Sequence, residues 1–241
     1  MPLLKATTSR FSRIIHRLVN PIFYGKGAPY YLMRYYDGKL ICPATFIHAL
    51  SRPVIWEPES RHYLEEHIQK GDVAIDVGAC FGLYTFLFSR LVGREGVVYA
   101  FEPDPFMYKI LCKNISLNHL TNIIVSRKAL SNCNGITRFY LSTGGASSIQ
   151  PMQGLRSAIN VDVKTIDSFN FEKADWIKID TEGTEHLILE GAKETLRRCS
   201  PRMLIEFLPV FGNTDKLLQA LEGWNIQGLD NNILCEPNTY S

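Results

Sequence analysis

Val73-Ala-Ile-Asp-Val-Gly-Ala-Cys-Phe-Gly82 decides the fold. Its first five residues form a short apolar run of the kind buried on both faces of a parallel sheet. Its last five hold Gly78 and Gly82 in G-x-x-x-G spacing. Glycine there permits a sharp turn and close approach of a ligand to the backbone. A helix follows, with Leu83, Phe86, Leu87 and Leu91 on one side.

The same rhythm continues downstream. Gly96–Phe101 reads as a strand, Phe106, Ile110, Leu111 and Leu117 mark a helix, and Ile123–Val125 is the next strand. Trp176–Asp180, a helix carrying Leu187, Ile188, Ala192 and Leu196, and Met203–Phe207 complete it. The alternation predicts a doubly wound, mostly parallel, Rossmann-like α/β sheet. One stretch departs from it. Between Lys128 and Lys164 the residues favour strands, Thr137–Leu141 and Ile159–Val163, with Gly144 and Gly145 between them. A β insertion is expected there in place of a crossover helix.

Upstream the character changes. From Met1 to Tyr36 the charged residues are Lys5, Arg10, Arg13, Arg17, Lys26 and Arg34, with no acid. Phe11, Ile14, Ile15, Leu18 and Val19 recur at helical spacing among them, and Asn20-Pro21 ends the helix. Such a basic amphipathic helix suits an arm packed on the domain, the reading preferred here. It also suits peripheral contact with an anionic membrane, or a cleaved presequence. Tyr36-Asp37-Gly38-Lys39 reads as a tight turn between two short strands, since Asp-Gly tolerates positive φ. Tyr63, Leu64, His67 and Ile68 form a helical stripe that Gly71 would stop. The chain therefore divides into a basic N-terminal arm with a short hairpin, residues 1–59, and an α/β domain, residues 60–241.

Composition narrows the function. Of 241 residues, 46% are hydrophobic and 21% charged, enough for one well-packed domain. No apolar run reaches bilayer length, which excludes an integral membrane protein. Lys and Arg number 26 against 24 Asp and Glu, so the net charge of +2 carries no nucleic-acid footprint. Cys42, Cys80, Cys112, Cys133, Cys199 and Cys235 are scattered, with no C-x-x-C pair. A reduced, cytoplasmic setting is the default.

The chemistry lies at strand ends, where ligands of open parallel sheets bind. The G-x-x-x-G turn is neither the dinucleotide fingerprint nor a phosphate loop. Asp76 before it suits a cation better than an anion. Glu102, in Phe101-Glu102-Pro103, is placed to accept both hydroxyls of a ribose, unless it is a solvated loop acid capping the next helix. Together the two motifs describe a nucleoside pocket without a phosphate site, which fits S-adenosyl-L-methionine. Lys178-Ile-Asp-Thr-Glu-Gly-Thr-Glu185 brings Asp180 and Glu182 to a further strand end. The competing reading there is a cluster of acids complementing a helix dipole.

The sequence resembles the FkbM-type methyltransferases, within the class I methyltransferase fold. The resemblance rests on Ile75–Tyr84, Ala100–Asp104, Lys128–Ser131, Ser147-Ser148, Ile177–Glu185 and Leu204–Glu206. It runs from about Glu66 to the C-terminus and puts the β insertion in its family place. Cys80 stands where the family usually has Asn, and Thr181 where it usually has Val. The resemblance implies O-methylation of a hydroxyl on a sugar, a glycolipid or a natural product. It implies that Gly78, Ala79, Cys80 and Gly82 cradle the methionine part of the cofactor, with Asp76 under that turn. Glu102 and Pro103 would then meet the ribose, Ala129 and its neighbours the adenine, and Asp180 the reactive methyl.

An alcohol gives up its proton reluctantly, so a base is expected at the acceptor. Asp180 or Glu182 is the expected catalytic group, with His186 and Glu206 in reserve. Asp167, Asp180 and Glu182 are hard oxygen ligands, but the Asp-Asn pair of catechol-type enzymes is missing, and no metal is expected. Asp-Thr-Glu-Gly replaces the Pro-Pro-aromatic run in which a flipped base would stack, so no nucleic-acid acceptor is expected. A protein or small-amine acceptor, a nicotinamide oxidoreductase and a non-catalytic, membrane-associated scaffold are the competing readings. In the arm, Phe23, Tyr24, Tyr30, Tyr31, Tyr35 and Tyr36 either stack on sugar rings or simply pack, the second being preferred.

Overall fold

A computed structural model describes residues 21–22, 30–43, 46, 56–142, 147–151, 157–209 and 213–238. The basic helix expected around Phe11–Val19, the Gly144-Gly145 turn, Phe23 and Tyr24 lie outside the described residues. Two compact units divide the chain, Met1–Trp56 and Glu57–Ser241.

The first unit holds β1 (Pro21–Ile22), β2 (Tyr30–Tyr35) and β3 (Gly38–Pro43) in one antiparallel sheet. The hairpin loop is Tyr36-Asp37 rather than Asp37-Gly38. Tyr35 pairs with Gly38, and Tyr36 takes the left-handed conformation at φ 51°. Asp37-Gly38 chemistry therefore sits one residue late, with Gly38 inside a strand. Tyr35 is buried and packs edge-on to Tyr36.

The second unit opens with α1 (Pro58–His67), whose last turn ends at Ile68, before Gly71. Then β4 (Val73–Val77), α2 (Leu83–Val92), β5 (Val97–Phe101), α3 (Pro105–Leu117) and β6 (Ile123–Ser126) alternate as the periodicity predicts. The insertion is a separate sheet of β7 (Ala129–Leu130), β8 (Gly135–Leu141) and β9 (Ser157–Lys164), ordered β7-β9-β8. β10 (Trp176–Ile179), α4 (Glu185–Glu190), α5 (Lys193–Cys199) and β11 (Arg202–Glu206) resume the winding. α6 (Thr214–Ala220) and the hairpin of β12 (Trp224–Leu229) and β13 (Asn232–Pro237) close it.

The single helix expected from Leu187 to Leu196 is two. It breaks at Gly191, where a Cβ would meet the Ser131 carbonyl oxygen at 2.1 Å. The helix yields there to let the backbone pass the end of the insertion.

The central sheet runs β12-β13-β11-β10-β4-β5-β6, parallel from β11 to β6. β13 joins β11 antiparallel, with β12 antiparallel beyond it. Ile75, Val77, Ile177, Ile179, Met203 and Ile205 fill the main core between this sheet and the helices after β10. β4 is followed in sequence by β5 on one side but flanked by β10 on the other. The winding therefore reverses at β4, and the ends of β4 and β10 border the crevice where such sheets bind ligands. Among the described residues no helix is long and apolar enough to cross a membrane.

Candidate active site

Three strand ends meet at this reversal. After β4, Gly78 and Ala79 both donate to the Phe101 carbonyl, and Gly82 donates to Ala79. Gly78 has φ 83° and Gly82 φ 100°, so the turn uses the conformational freedom of both. Cys80 is also left-handed, at φ 52°. That conformation favours Asn among residues with a side chain, which suits the Asn that the resemblance puts at this position.

Glu102 follows β5 and is buried. Its Oε2 accepts from Cys80 N at 2.7 Å and its Oε1 from Asp104 N at 2.8 Å. It is not the cap of the next helix. Asp104 does that, accepting from Phe106 N and Met107 N ahead of Pro105. Burial pushes the Glu102 carboxyl up to about 8 against the pull of the two backbone donors. Pro103 adjoins it and lines, with Pro105, Arg127, Ile159 and Asp162, a cavity of about 150 Å³.

Asp76 is buried at the end of β4 and accepts a short bond from the Thr85 hydroxyl. Burial raises it to about 6 although Thr85 and Lys178 pull the other way. Ala129 lies in β7, its side chain packed with Phe139, Val161 and Val163 in the core of the small sheet.

Asp180 and Glu182 occupy the turn after β10. Asp180 N donates to Val77 O at 3.0 Å, locking this turn to the glycine turn. Glu182 is left-handed at φ 58° and Gly183 at φ 98°. The strained turn is held from three directions. Glu185 Oε1 accepts from Thr181 N, Thr181 Oγ1 and Gly183 N, each at 3.1 Å. Ser148 Oγ donates to the carbonyls of Thr181 and Glu182, and Asn213 Nδ2 to that of Gly183. The helix-start acid is thus Glu185, and Asp180 and Glu182 are left to the crevice.

Glu206, at the end of β11, joins them. One oxygen of each of Asp180, Glu182 and Glu206 lies within 4.8 Å of the others. Burial and the neighbouring carboxylates push Glu182 up to about 7 and Glu206 far above the carboxylate range. Asp167 is elsewhere, accepting from Glu194 N, Thr195 N and the Thr195 hydroxyl at the start of α5. His186 is buried on α4, and burial and Lys216 lower it.

Lys178, Glu57, Tyr84, Glu185 and Asn213 had no assigned role in the sequence. Ser148 stood in a motif without one. A charged residue inside an apolar strand run, Lys178 between Ile177 and Ile179, was the one local signal available.

These donors and charges fit a cationic sulfur nucleoside. The N–H groups of Gly78, Ala79, Cys80 and Gly82 are all spent on protein acceptors, so the turn offers a phosphate little. Asp76, Asp180, Glu182 and Glu206 surround a single described lysine, Lys178, and a positive ligand relieves their mutual repulsion.

Comparison with known proteins agrees. Residues 76–226 match the family model for the methyltransferase FkbM domain. Over 57 residues the chain is 37% identical to a protein-L-isoaspartate O-methyltransferase of Caenorhabditis elegans, a match covering 24% of this chain and 25% of that protein. The chain thus aligns with a quarter of that relative's length. A putative rRNA methylase from Clostridium thermocellum superposes with a TM-score of 0.51 at 13% identity, covering 74% of this chain and 92% of that one. A methyltransferase FkbM from Methylobacillus flagellatus KT gives 0.49 at 16% identity, covering 79% and 53%. At 13% identity the first of these structures speaks for the fold alone.

Proposed function

The chain belongs to the FkbM methyltransferase family, and from that premise we propose that it methylates a hydroxyl oxygen of a sugar, a glycolipid or a related natural product. S-adenosylmethionine is the donor, supplying an electrophilic methyl whose departure from sulfur needs no acid. The chain's own work is then to align the acceptor and to take its proton.

The observation that carries the reading is the gathering of Asp180, Glu182 and Glu206 within 4.8 Å at the crevice. A hydroxyl is a poor acid, and a carboxylate cluster is a place for its proton. A protein carboxyl group, suggested by the name of the Caenorhabditis relative, and a nucleic acid, suggested by that of the Clostridium structure, are the competing acceptors. Asp180 is assigned as the proton acceptor and Glu182 as its partner at the acceptor hydroxyl.

On the donor side Gly78, Ala79, Cys80 and Gly82 are assigned to the methionine part and Asp76 to the support of their turn. Glu102 and Pro103 are assigned to the ribose, and the stretch around Ala129 to the adenine. The compact unit Glu57–Ser241 is assigned as the transferase domain, starting three residues earlier than the expected boundary at residue 60, and the residues before it as an accessory arm for acceptor or membrane contact. Deleting residues 1–36 and comparing liposome binding with transfer separates those two uses.

Mass spectrometry of glycans and lipids from the source organism, with and without the gene, tests the acceptor. A methyl group lost from a sugar or lipid hydroxyl is expected. Unchanged glycans and lipids with a methyl lost from protein would overturn it. Calorimetry with S-adenosylhomocysteine and with NADH tests the pocket, and only the former is expected to bind. No binding of S-adenosylhomocysteine at millimolar concentration would favour a non-catalytic scaffold.

A further inference from the structure

Lys178 sits in the middle of β10 with 1% of its surface exposed. Its neighbours Ile177 and Ile179 enter the apolar core. In register it lies beside Asp76, and α2 reaches both residues, through Thr85 to Asp76 and Tyr84 to Lys178. A buried ammonium is costly, and an apolar side chain of its size would serve a purely structural purpose at least as well.

Its ammonium donates to the Ile179 carbonyl at 3.5 Å and to one charged partner. Nζ lies 3.2 Å from Asp180 Oδ2 and 5.1 Å from the centre of the Tyr84 ring. The Tyr84 hydroxyl donates a short bond to Glu57 Oε2. The charged groups acting here come from every neighbouring element: Asp76 of β4, Glu57 ahead of α1, Asp180 and Glu182 of the turn, and Glu206 of β11. The Asp180 side chain is 33% exposed, so it is held by the lysine yet reaches the crevice.

We propose that Lys178 is a positioning residue for methyl transfer, its buried ammonium seated on Tyr84 and holding the Asp180 side chain in place at the acceptor. The proposal rests on the assignment of Asp180 as proton acceptor. Without the ammonium, Asp180 faces Glu182 and Glu206 with no cation against it among the described residues, and its side chain is no longer held at the acceptor. The ring of Tyr84 and the carboxylate of Glu57 hold the lysine from the other side, so Asp180 does not have to carry the whole charge.

The test uses the full chain as wild type and as Lys178→Met, Lys178→Gln and Lys178→Arg. Carbon-13 carboxyl NMR follows Asp180, its resonance identified by its loss in Asp180→Asn. Transfer is read with tritiated-methyl S-adenosylmethionine and, as acceptor pool, an extract of the source organism lacking the gene. In Lys178→Met the Asp180 midpoint is expected to rise by about one pH unit or more. The acid limb of the transfer rate should move up with it, while affinity for S-adenosylhomocysteine changes less than about threefold. Lys178→Gln should behave alike if the Met variant does not fold, and Lys178→Arg should restore the midpoint. An unmoved midpoint in a folded Met or Gln variant overturns the proposal. A moved midpoint with full transfer by Asp180→Asn leaves the hold of Lys178 intact but overturns Asp180 as base, and with it the catalytic meaning of the lysine.

Discussion

The backbone carbonyl of Asp180 closes over the α-carbon of Gly78, so that a Cβ there would stand 1.8 Å from its oxygen. The turn assigned to the donor and the turn assigned to the acceptor are therefore built in contact, backbone against backbone. The Asp180 N–H bond to Val77 fixes them from the other side. Neither turn shifts without the other, which is what alignment of two reactants asks of its frame.

Gly78→Ala tests that contact. The substitution meets both a left-handed backbone at φ 83° and a clash that no side chain rotation relieves. Gly223→Ala is its control, with φ 87° and nothing within 4 Å of the new Cβ. The control is expected to lose about 1 kcal/mol by thermal unfolding, and Gly78→Ala about 2–3 kcal/mol. Affinity for S-adenosylhomocysteine should fall more than about tenfold in Gly78→Ala and stay unchanged in the control. Equal losses in both would mean that the two turns do not touch as described.

Cys80 allows the opposite experiment. At φ 52° with its N–H bound to Glu102, it asks for a residue tolerant of the left-handed region. Cys80→Asn is expected to be neutral or to stabilise by a few tenths of a kcal/mol. Cys80→Val should cost about 1–2 kcal/mol, since branching at Cβ is worst there. Chemical denaturation of the three proteins decides it.

Much of this was written in the chain. The run Val73–Val77 and the apolar stripe after Gly82 carry their periods openly. The pairing of Glu102 with Cys80 was not legible, because twenty-two residues separate them and only the parallel register of β4 and β5 brings them together. Glu206 reached the Asp180 cluster in place of Asp167 for a similar reason. Both acids follow apolar segments, but Asp167 meets the N–H groups of Glu194 and Thr195 first. The terminal hairpin of β12 and β13 was missed because β12 is mostly exposed and lacks an apolar rhythm. Gly191 broke a helix whose stripe was continuous, since the stripe does not show the Ser131 carbonyl pressing on it.

The buried acids make stability depend on pH in an unusual direction. Asp76, Glu102 and Glu182 titrate at about 6, 8 and 7 in the folded chain, above their ordinary values. Between those limits the folded state holds more protons than the unfolded one, so stability falls as pH rises. It is fully present near pH 4 and is lost progressively up to pH 8, on these three groups. Thermal unfolding of the protein without donor should show this decline. Glu182→Gln should flatten it, recovering about 1–2 kcal/mol at pH 8. Because the donor is cationic, the rise in melting temperature it produces should be greater at pH 8 than at pH 5. A rise that shrinks with pH would show that the crevice charges do not face the ligand.

The proton acceptor is tested by removing charge without removing shape. In Asp180→Asn the amide keeps the volume but no longer takes a proton, and Lys178 loses its ion-pair partner. Transfer should fall by about 10² to 10⁴, while S-adenosylhomocysteine binds within a few-fold of normal. Glu182→Gln should lose less, about tenfold, since it keeps the turn and surrenders only one member of the cluster. Glu206→Gln should be nearly silent at neutral pH, because burial among acids already keeps that carboxyl protonated. Chelator should leave all four proteins as they were, the cluster handling a proton and not a divalent ion. Activity abolished by chelator and restored by magnesium would reassign the same three carboxylates to a metal. Near-normal transfer in both Asp180→Asn and Glu182→Gln would remove the base from this turn altogether.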